Sequence, residues 1–338
     1  MVSTTNRRRR LLESRAKIIP PARLDDSLCF YCPQDNVDAL RHPRVKRWIR
    51  FVTQSYVPTV DKRDRNILLL LPCTKLKPYL LSPEHLAINA SLIRAGFLPD
   101  GDASLLGDFA AHLPEGFPPG ALSLAPLRGG RVVVHRAVMS EPLGFVPYAY
   151  VYQYQGAQSV ACSYDDPGLF EGRGNAVSPW RKDYSGTRAA PGRWRWGDNE
   201  RRSFAEMHNE MSATLARVIA RLRPYYSDVI GWAAPGLTHR SFILARAKRA
   251  ANGVAASRQV GTEHLALIGT NDILPAGSAI ECLPTPQQCE AAKRRLAKRL
   301  RRPLKAVAGH YARGGCGATP LALPELLTTL VARLQRDG

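Results

Sequence analysis

Apolar positions change their spacing several times along the chain, and each change marks an element. Val45, Trp48, Ile49, Val52 and Tyr56 recur at helical spacing, with Pro43 in the first turn and Pro58 beyond the end, which predicts an amphipathic helix. Residues 66–71 (NILLLL) are a continuous apolar run between charged residues and Pro72, the pattern of a strand buried on both faces of a parallel sheet. A short loop follows. Ser82, Pro83 and Glu84 then open a second helix, continued by Leu86, Ala90, Ile93 and Phe97 with Gly96 near its end. Residues 98–130 are rich in Gly, Pro and Leu and lack sustained periodicity. Residues 131–139 (RVVVHRAVM) predict another strand, and Pro142, Gly144 and Pro147 keep the next segment in a loop.

Residues 166–197 form a long irregular stretch in which Trp180, Tyr184, Trp194 and Trp196 alternate with Arg173, Arg181, Lys182, Arg188, Arg193 and Arg195. Met207, Met211, Leu215, Val218 and Leu222 then form one stripe of a helix over 199–223, ended by Pro224. Further strands are predicted at 228–233 and 264–270, with a basic helix over 238–252 between them. Thr285 and Gln288 make a capping box for a last helix running to Arg302, where Pro303 stops it. Strands alternating with helices predict an α/β fold with a mostly parallel sheet.

A chain of 338 residues, 45% hydrophobic, has enough apolar material for roughly two domains. The pattern divides it into a basic flexible arm (1–27), a larger domain (28–235) and a smaller basic α/β or helical domain (236–338). Lys and Arg outnumber Asp and Glu by 48 to 28, a net charge of +20, so a polyanion, and nucleic acid first, is the leading partner. The Arg/Trp loop, through Arg181, Lys182, Arg193, Trp194, Arg195 and Trp196, offers stacking and phosphate contacts, or else packs its rings on the body. Lys293, Arg294, Arg295, Lys298 and Arg299 surround an apolar stripe of Leu296, Leu300 and Leu304, as a phosphate-binding face or as an ordinary solvated one.

No apolar run approaches the roughly 20 residues of a membrane span, and no apolar segment follows the N-terminal arginines, so a cytoplasmic protein without a membrane partner is expected. Seven scattered cysteines suggest reduced thiols. Cys29 and Cys32 supply half of a zinc site, the one cofactor suggested by residue spacing.

The richest chemistry lies in the loop after the first strand, where ligands of open α/β sheets bind. It carries Pro72, Cys73, Lys77, Pro78, Tyr79, Ser82 and His85. Cys73 lies between a buried strand and a helix start with Lys77 nearby, surroundings that favour a thiolate; the alternative is a buried structural thiol.

These seven residues resemble the signature of the archaeosine synthases, relatives of the tRNA-guanine transglycosylases: Pro-Cys, three residues, Lys-Pro-Tyr, two residues, Ser, two residues, His. The resemblance extends to a His-Pro helix start at His42 and Pro43, a Pro-Leu-Gly loop at Pro142, Leu143 and Gly144 with Pro147 beyond, and a Tyr-Asp pair at Tyr164 and Asp165, covering roughly residues 40–235. It implies a three-layer α/β sandwich similar to uracil-DNA glycosylases and conversion of the nitrile of 7-cyano-7-deazaguanine, carried in tRNA, to an amidine with lysine as donor. This chain has no room for a transglycosylase barrel of about 250 residues beside the signature domain. A stand-alone protein acting on the deazaguanine in tRNA or DNA, with a partner enzyme supplying or completing the modification, is therefore expected.

Within that expectation Cys73 attacks the nitrile carbon, Lys77 stabilises the charge that develops, and His85 exchanges a proton. Asp165 activates water or anchors the base, or simply forms a turn with Asp166. Pro72, Pro78, Tyr79, Ser82 and Tyr164 shape the base pocket, Ser82 also as an N-cap. A non-catalytic nucleic-acid-recognition subunit, and a base-exchanging or base-excising enzyme, are the alternative functions.

Overall fold

The apolar run that ends at Pro72 is the centre of the molecule. The computed structural model describes residues 7–101, 104–166, 171, 176–191, 193–314 and 319–336. Its strands are β1 (Arg65–Pro72), β2 (Leu98–Pro99), β3 (Leu127–Gly129), β4 (Val132–Ser140), β5 (Gly144–Pro147), β6 (Gln153–Tyr154), β7 (Ala157–Gln158), β8 (Thr187–Ala190), β9 (Arg193–Arg195), β10 (Asp228–Trp232), β11 (Ser257–Val260), β12 (Glu263–Ala266) and β13 (Glu281–Leu283). The main sheet runs β13-β10-β1-β4-β3-β2, with β5 also on β4, and the other strands form three small ribbons. The four strands β13, β10, β1 and β4 are parallel. β1 and β4 are buried almost end to end, as a sheet covered on both faces requires.

The helices are α1 (Arg7–Arg15), α2 (Pro33–Ala39), α3 (Pro43–Arg50), α4 (Pro83–Arg94), α5 (Asp198–Leu222), α6 (Thr238–Ile243), α7 (Arg246–Arg249), α8 (Thr270–Ile273), α9 (Pro286–Leu300), α10 (Ala308–Ala312) and α11 (Pro324–Gln335). α4, α9 and α11 pack together as one group, and α2, α6 and α8 pack on α5 as another. From β1 the chain passes through α4 to β4 on one side, then returns through α5 to β10 on the other. The carboxyl end of β1 is therefore the topological switch point, where a crevice opens in α/β sheets.

Three expectations about individual elements change. Residues 144–147 form a strand rather than a loop, because Gly144 takes a positive φ of 78° and lets the chain turn back along β4. A Cβ at Gly144 would come within 2.5 Å of Thr214 Cγ2. The helix predicted over 238–252 breaks at Leu244, and the buried Arg249 guanidinium donates to the carbonyls of Ser241, Leu244 and Ala255. The strand predicted at 264–270 is a short ribbon, β11 with β12, outside the main sheet. Two domain boundaries also disappear. Residues 7–27 do not form a flexible arm: α1 is docked by Arg10, whose guanidinium is 4.1 Å from the centre of the Tyr31 ring and donates to the Tyr31 carbonyl at 3.1 Å. The segment beyond 236 is not a separate smaller domain, since β13 extends the sheet and Leu296, Leu330 and Leu334 share the core of Ile67 and Leu69. Among the described residues no helix is long and apolar enough to cross a membrane.

Burial also sets how stability varies with pH. It pushes His85 and His135 down from 6.5 to about 4, and His208 to about 3. The unfolded chain binds protons at these imidazoles near 6.5 and the fold does not, so their contribution is complete above that value and declines toward about 4. Glu84 acts oppositely, because burial raises it from 4.5 to about 7 and keeps it protonated in the fold. Burial lowers His239 as well, so with four imidazoles against one carboxyl the urea midpoint is expected to fall between about pH 7 and pH 5. An unchanged or higher midpoint at the lower pH contradicts this.

Candidate functional site

The motif loop runs from the end of β1 to the first turn of α4. Cys73 N–H prolongs the parallel ladder by donating to Met139 O at 3.0 Å, which fixes the thiol at the switch point. Ser82 caps α4 by accepting from His85 N–H at 3.2 Å, with Pro83 at the first helical position. Pro78, buried, leads into a short helical turn at Tyr79–Leu81 that carries the chain between these two anchors.

Tyr79 and Tyr164 meet under the loop, their hydroxyls 2.7 Å apart and both bonded to Ser140 Oγ. Both phenols are fully enclosed, which raises their pKa well above the usual range. Lys77 is buried beside them. Its ammonium donates to Thr74 O at 2.8 Å and lies 4.6 Å from the centre of the Tyr164 ring. Burial lowers its pKa, against the pull of Cys73, Asp165 and Asp166.

Asp165 is buried and held by the docked N-terminal segment. Its Oδ2 accepts from Ser14 Oγ at 2.7 Å and from Lys17 Nζ at 2.6 Å, while Oδ1 is buried without a hydrogen-bond partner. The same segment pairs with the motif loop, Ile19 N–H donating to Lys77 O at 2.8 Å and Lys77 N–H to Lys17 O at 3.0 Å. Residues expected to be a free arm thus wall one side of the site. Removing the partner of a buried carboxylate leaves an uncompensated charge, so Lys17→Met should cost about 3 kcal/mol, read from urea unfolding. A loss within error of zero would show that Asp165 does not depend on this pair.

His85 is not the proton carrier beside Cys73. Its Nε2 is 2.9 Å from Pro72 O, which can only accept, so Nε2 carries the hydrogen and Nδ1 accepts from Tyr148 O–H at 2.6 Å. Both nitrogens are consumed. Tyr148 lies under the Arg136 guanidinium, 4.3 Å from its ring centre, and Arg136 donates to Asn89 Oδ1 at 2.8 Å, so His85 belongs to a buried network joining α4 to β4.

The imidazole beside the thiol is His239, on α6 just after β10. Its Nε2 is 3.3 Å from Cys73 Sγ and accepts from Cys73 N–H at 3.3 Å. Glu141, one residue beyond β4, completes the cluster, its Oε2 3.9 Å from Cys73 Sγ and 3.7 Å from His239 Nε2. All three side chains are half-buried. The thiol pKa is raised well above the ordinary value by burial and by Glu141, against the effect of Lys77, and burial lowers that of His239. The resting pair is therefore a neutral thiol and a neutral imidazole. Glu141 and His239 lie outside the motif, and the signal for them was position: each follows closely on a parallel strand beside β1, at its carboxyl end.

The expected zinc pair does not assemble. Among the described residues neither Cys29 nor Cys32 belongs to a group of three or more side chains placed to share a metal ion. Cys29 faces Asp25 O, and burial raises its thiol to about 11 and that of Cys32 to about 12. Among the described residues the group able to hold a metal is Cys73, Glu141 and His239. Cys316 and Arg173 lie outside the described residues.

The proposed nucleic-acid residues separate into two kinds. Trp196 is buried, its Nε1 donating to Ala176 O at 2.9 Å, and Arg181 is engaged by Asp35, Asp38 and Asp183, so neither is free to meet a base or phosphate. Trp194 is half-buried against Tyr184, whereas Lys182, Arg193 and Arg195 are exposed. On α9, Lys293 pairs with Glu290 and Arg299 with Glu325, and Arg295 donates to Glu325 O, holding α9 to α11. Arg294, Arg295, Lys298 and Arg299 are all exposed. α9 follows the edge strand β13 and contributes nothing to the Cys73 cluster. Comparison with known families, curated proteins and solved structures gives no match to this chain.

Proposed function

We propose that the protein modifies a 7-deazaguanine base in tRNA or DNA by thiol addition to its nitrile, the reaction implied by the resemblance of its motif loop to the archaeosine synthases. The supporting observation is the placement of Cys73 at the switch point, its Sγ 3.3 Å from Nε2 of the His239 imidazole, which in its Nδ1–H tautomer can take up the thiol proton. Sγ bonds to the nitrile carbon while the thiol proton passes to His239 Nε2 and then to the nitrile nitrogen, giving a thioimidate. An amine donor attacks the same carbon, the C–S bond breaks, and an amidine leaves with the thiol restored.

Lys77, buried nearby, lowers the cost of thiolate and of negative charge on nitrogen. Asp165 Oδ1, an orphaned buried acceptor, suits the N–H edge of a guanine-like base. The central position of β1 in a parallel sheet is compatible with the uracil-DNA-glycosylase-like sandwich that the resemblance implies.

Incubation with an oligonucleotide containing 7-cyano-7-deazaguanine and an amine donor, followed by nucleoside mass spectrometry, tests the reaction. Loss of the nitrile and gain of the amine mass supports it. Oligonucleotide binding without chemistry on either tRNA or DNA favours a recognition subunit instead. In either case Arg294→Glu with Lys298→Glu should weaken binding and flatten its salt dependence by about two charges' worth. Unchanged affinity and salt slope exclude α9 from the nucleic-acid surface.

A further inference from the structure

The arrangement of Cys73, Glu141 and His239 is unlike a relay of nucleophile, base and orienting acid. In such a relay the acid bonds the far imidazole nitrogen, whereas here Glu141 Oε2 and Cys73 Sγ both face Nε2, and Nδ1 is buried without a partner. The three donor atoms converge on one point. Their separations are 3.3, 3.7 and 3.9 Å. Atoms so spaced are all about 2.1 Å from a common centre, and zinc takes sulfur at about 2.3 Å, imidazole nitrogen at about 2.0 Å and carboxylate oxygen at about 2.1 Å. That centre lies in the plane of the three atoms, so a tetrahedral cation is held just out of the plane once the donors draw in by a few tenths of an ångström, which leaves the fourth position for water or another ligand.

We infer that Cys73, Glu141 and His239 also bind a zinc-class divalent cation, and that occupancy silences the thiol. Donor chemistry selects the cation: one thiolate and one imidazole favour zinc over magnesium or calcium, and thiolate plus carboxylate neutralise its two charges. Cys73 N–H is directed at Nε2 at 3.3 Å, and in the tautomer that carries its hydrogen on Nδ1 the Nε2 lone pair is available. On binding, Sγ loses its proton to solvent and forms a metal–sulfur bond, while Nε2 donates its lone pair to the cation. Both the electron pair that attacks the nitrile and the pair that accepts the thiol proton are then occupied. This regulatory half rests on the proposed thiol chemistry; the binding site does not.

The test uses the full chain, freed of metal by a chelator. Zinc titrated against a chromophoric chelator should bind at one equivalent, and cobalt in its place should give a thiolate-to-cobalt charge-transfer band, a readout that needs no variant. Glu141→Gln, His239→Ala and Cys73→Ser should each weaken zinc binding by about 100-fold. Zinc should block alkylation of Cys73 by iodoacetamide, and chelator should restore it.

Absence of one-to-one binding and of the cobalt band overturns the site, as does binding that all three variants leave unchanged. Turnover that requires zinc overturns the silencing, since the cation would then be a cofactor. Failure of the thiol reading is seen separately, as full turnover by metal-free Cys73→Ala while wild-type zinc binding stands.

Discussion

Cys73→Ala should lower nitrile turnover by about 10³-fold or more, because without the thiol no thioimidate forms and only bound geometry remains to promote direct amine attack. The fold should survive. Cys73 is half-buried at a loop start and its backbone N–H bond to Met139 is kept by any residue, so the change in unfolding free energy should stay below about 1 kcal/mol. Activity and stability thus separate in this variant, which isolates the chemistry from folding. His239→Gln should reduce turnover as well, since an amide cannot take up the thiol proton. Rapid turnover in Cys73→Ala would remove the covalent mechanism, whatever happens in the histidine variant.

For His85→Ala the effect should fall on stability instead. The imidazole is fully enclosed, donates to Pro72 O and accepts from Tyr148 O–H, so its loss strands a carbonyl and a hydroxyl and leaves a cavity between α4 and the sheet. Together these cost about 3–5 kcal/mol. Urea unfolding should register the loss. Turnover of the fraction still folded should fall only as far as the Pro72–Cys73 backbone shifts, and its dependence on pH should keep the wild-type shape. A stable His85→Ala protein with no turnover would return the proton-transfer role to His85.

The two histidines illustrate what sequence spacing conveys. His85 stands within the motif, three residues after a helix cap, and both its proximity to Cys73 in sequence and its position on α4 were legible. Its bonding partners were not: Tyr148 arrives from 63 residues away. His239 is 166 residues from Cys73 and sits in a segment predicted only as a basic helix. Only the parallel pairing of β10 with β1 brings it to the thiol. Glu141, 68 residues from Cys73, arrives in the same way through β4.

Net charge left the placement of the cations open for a related reason. Composition counts cations but not their partners: Arg181, Arg295 and Arg299 pair within the molecule, the last two while still exposed, and Arg10, Arg136, Arg240 and Arg249 are buried beneath the surface. The N-terminal arginines looked like a free arm because local periodicity was weak. Docking depends instead on single side chains, Arg10 on Tyr31 and Ser14 with Lys17 on Asp165, that no local pattern encodes.

By itself the sequence determined the α/β class, the strands at β1, β4 and β10, the long helix α5, and the polar loop that joins β1 to α4. Those properties follow from burial periodicity, capping and turn residues, all of which act over a few neighbouring positions. Tertiary structure alone decided which side chains surround the thiol, which arginines remain exposed, and that the two ends of the chain join one core. The physical reason is that a parallel sheet aligns the ends of strands far apart in sequence, so the site is assembled by strand order rather than by spacing along the chain.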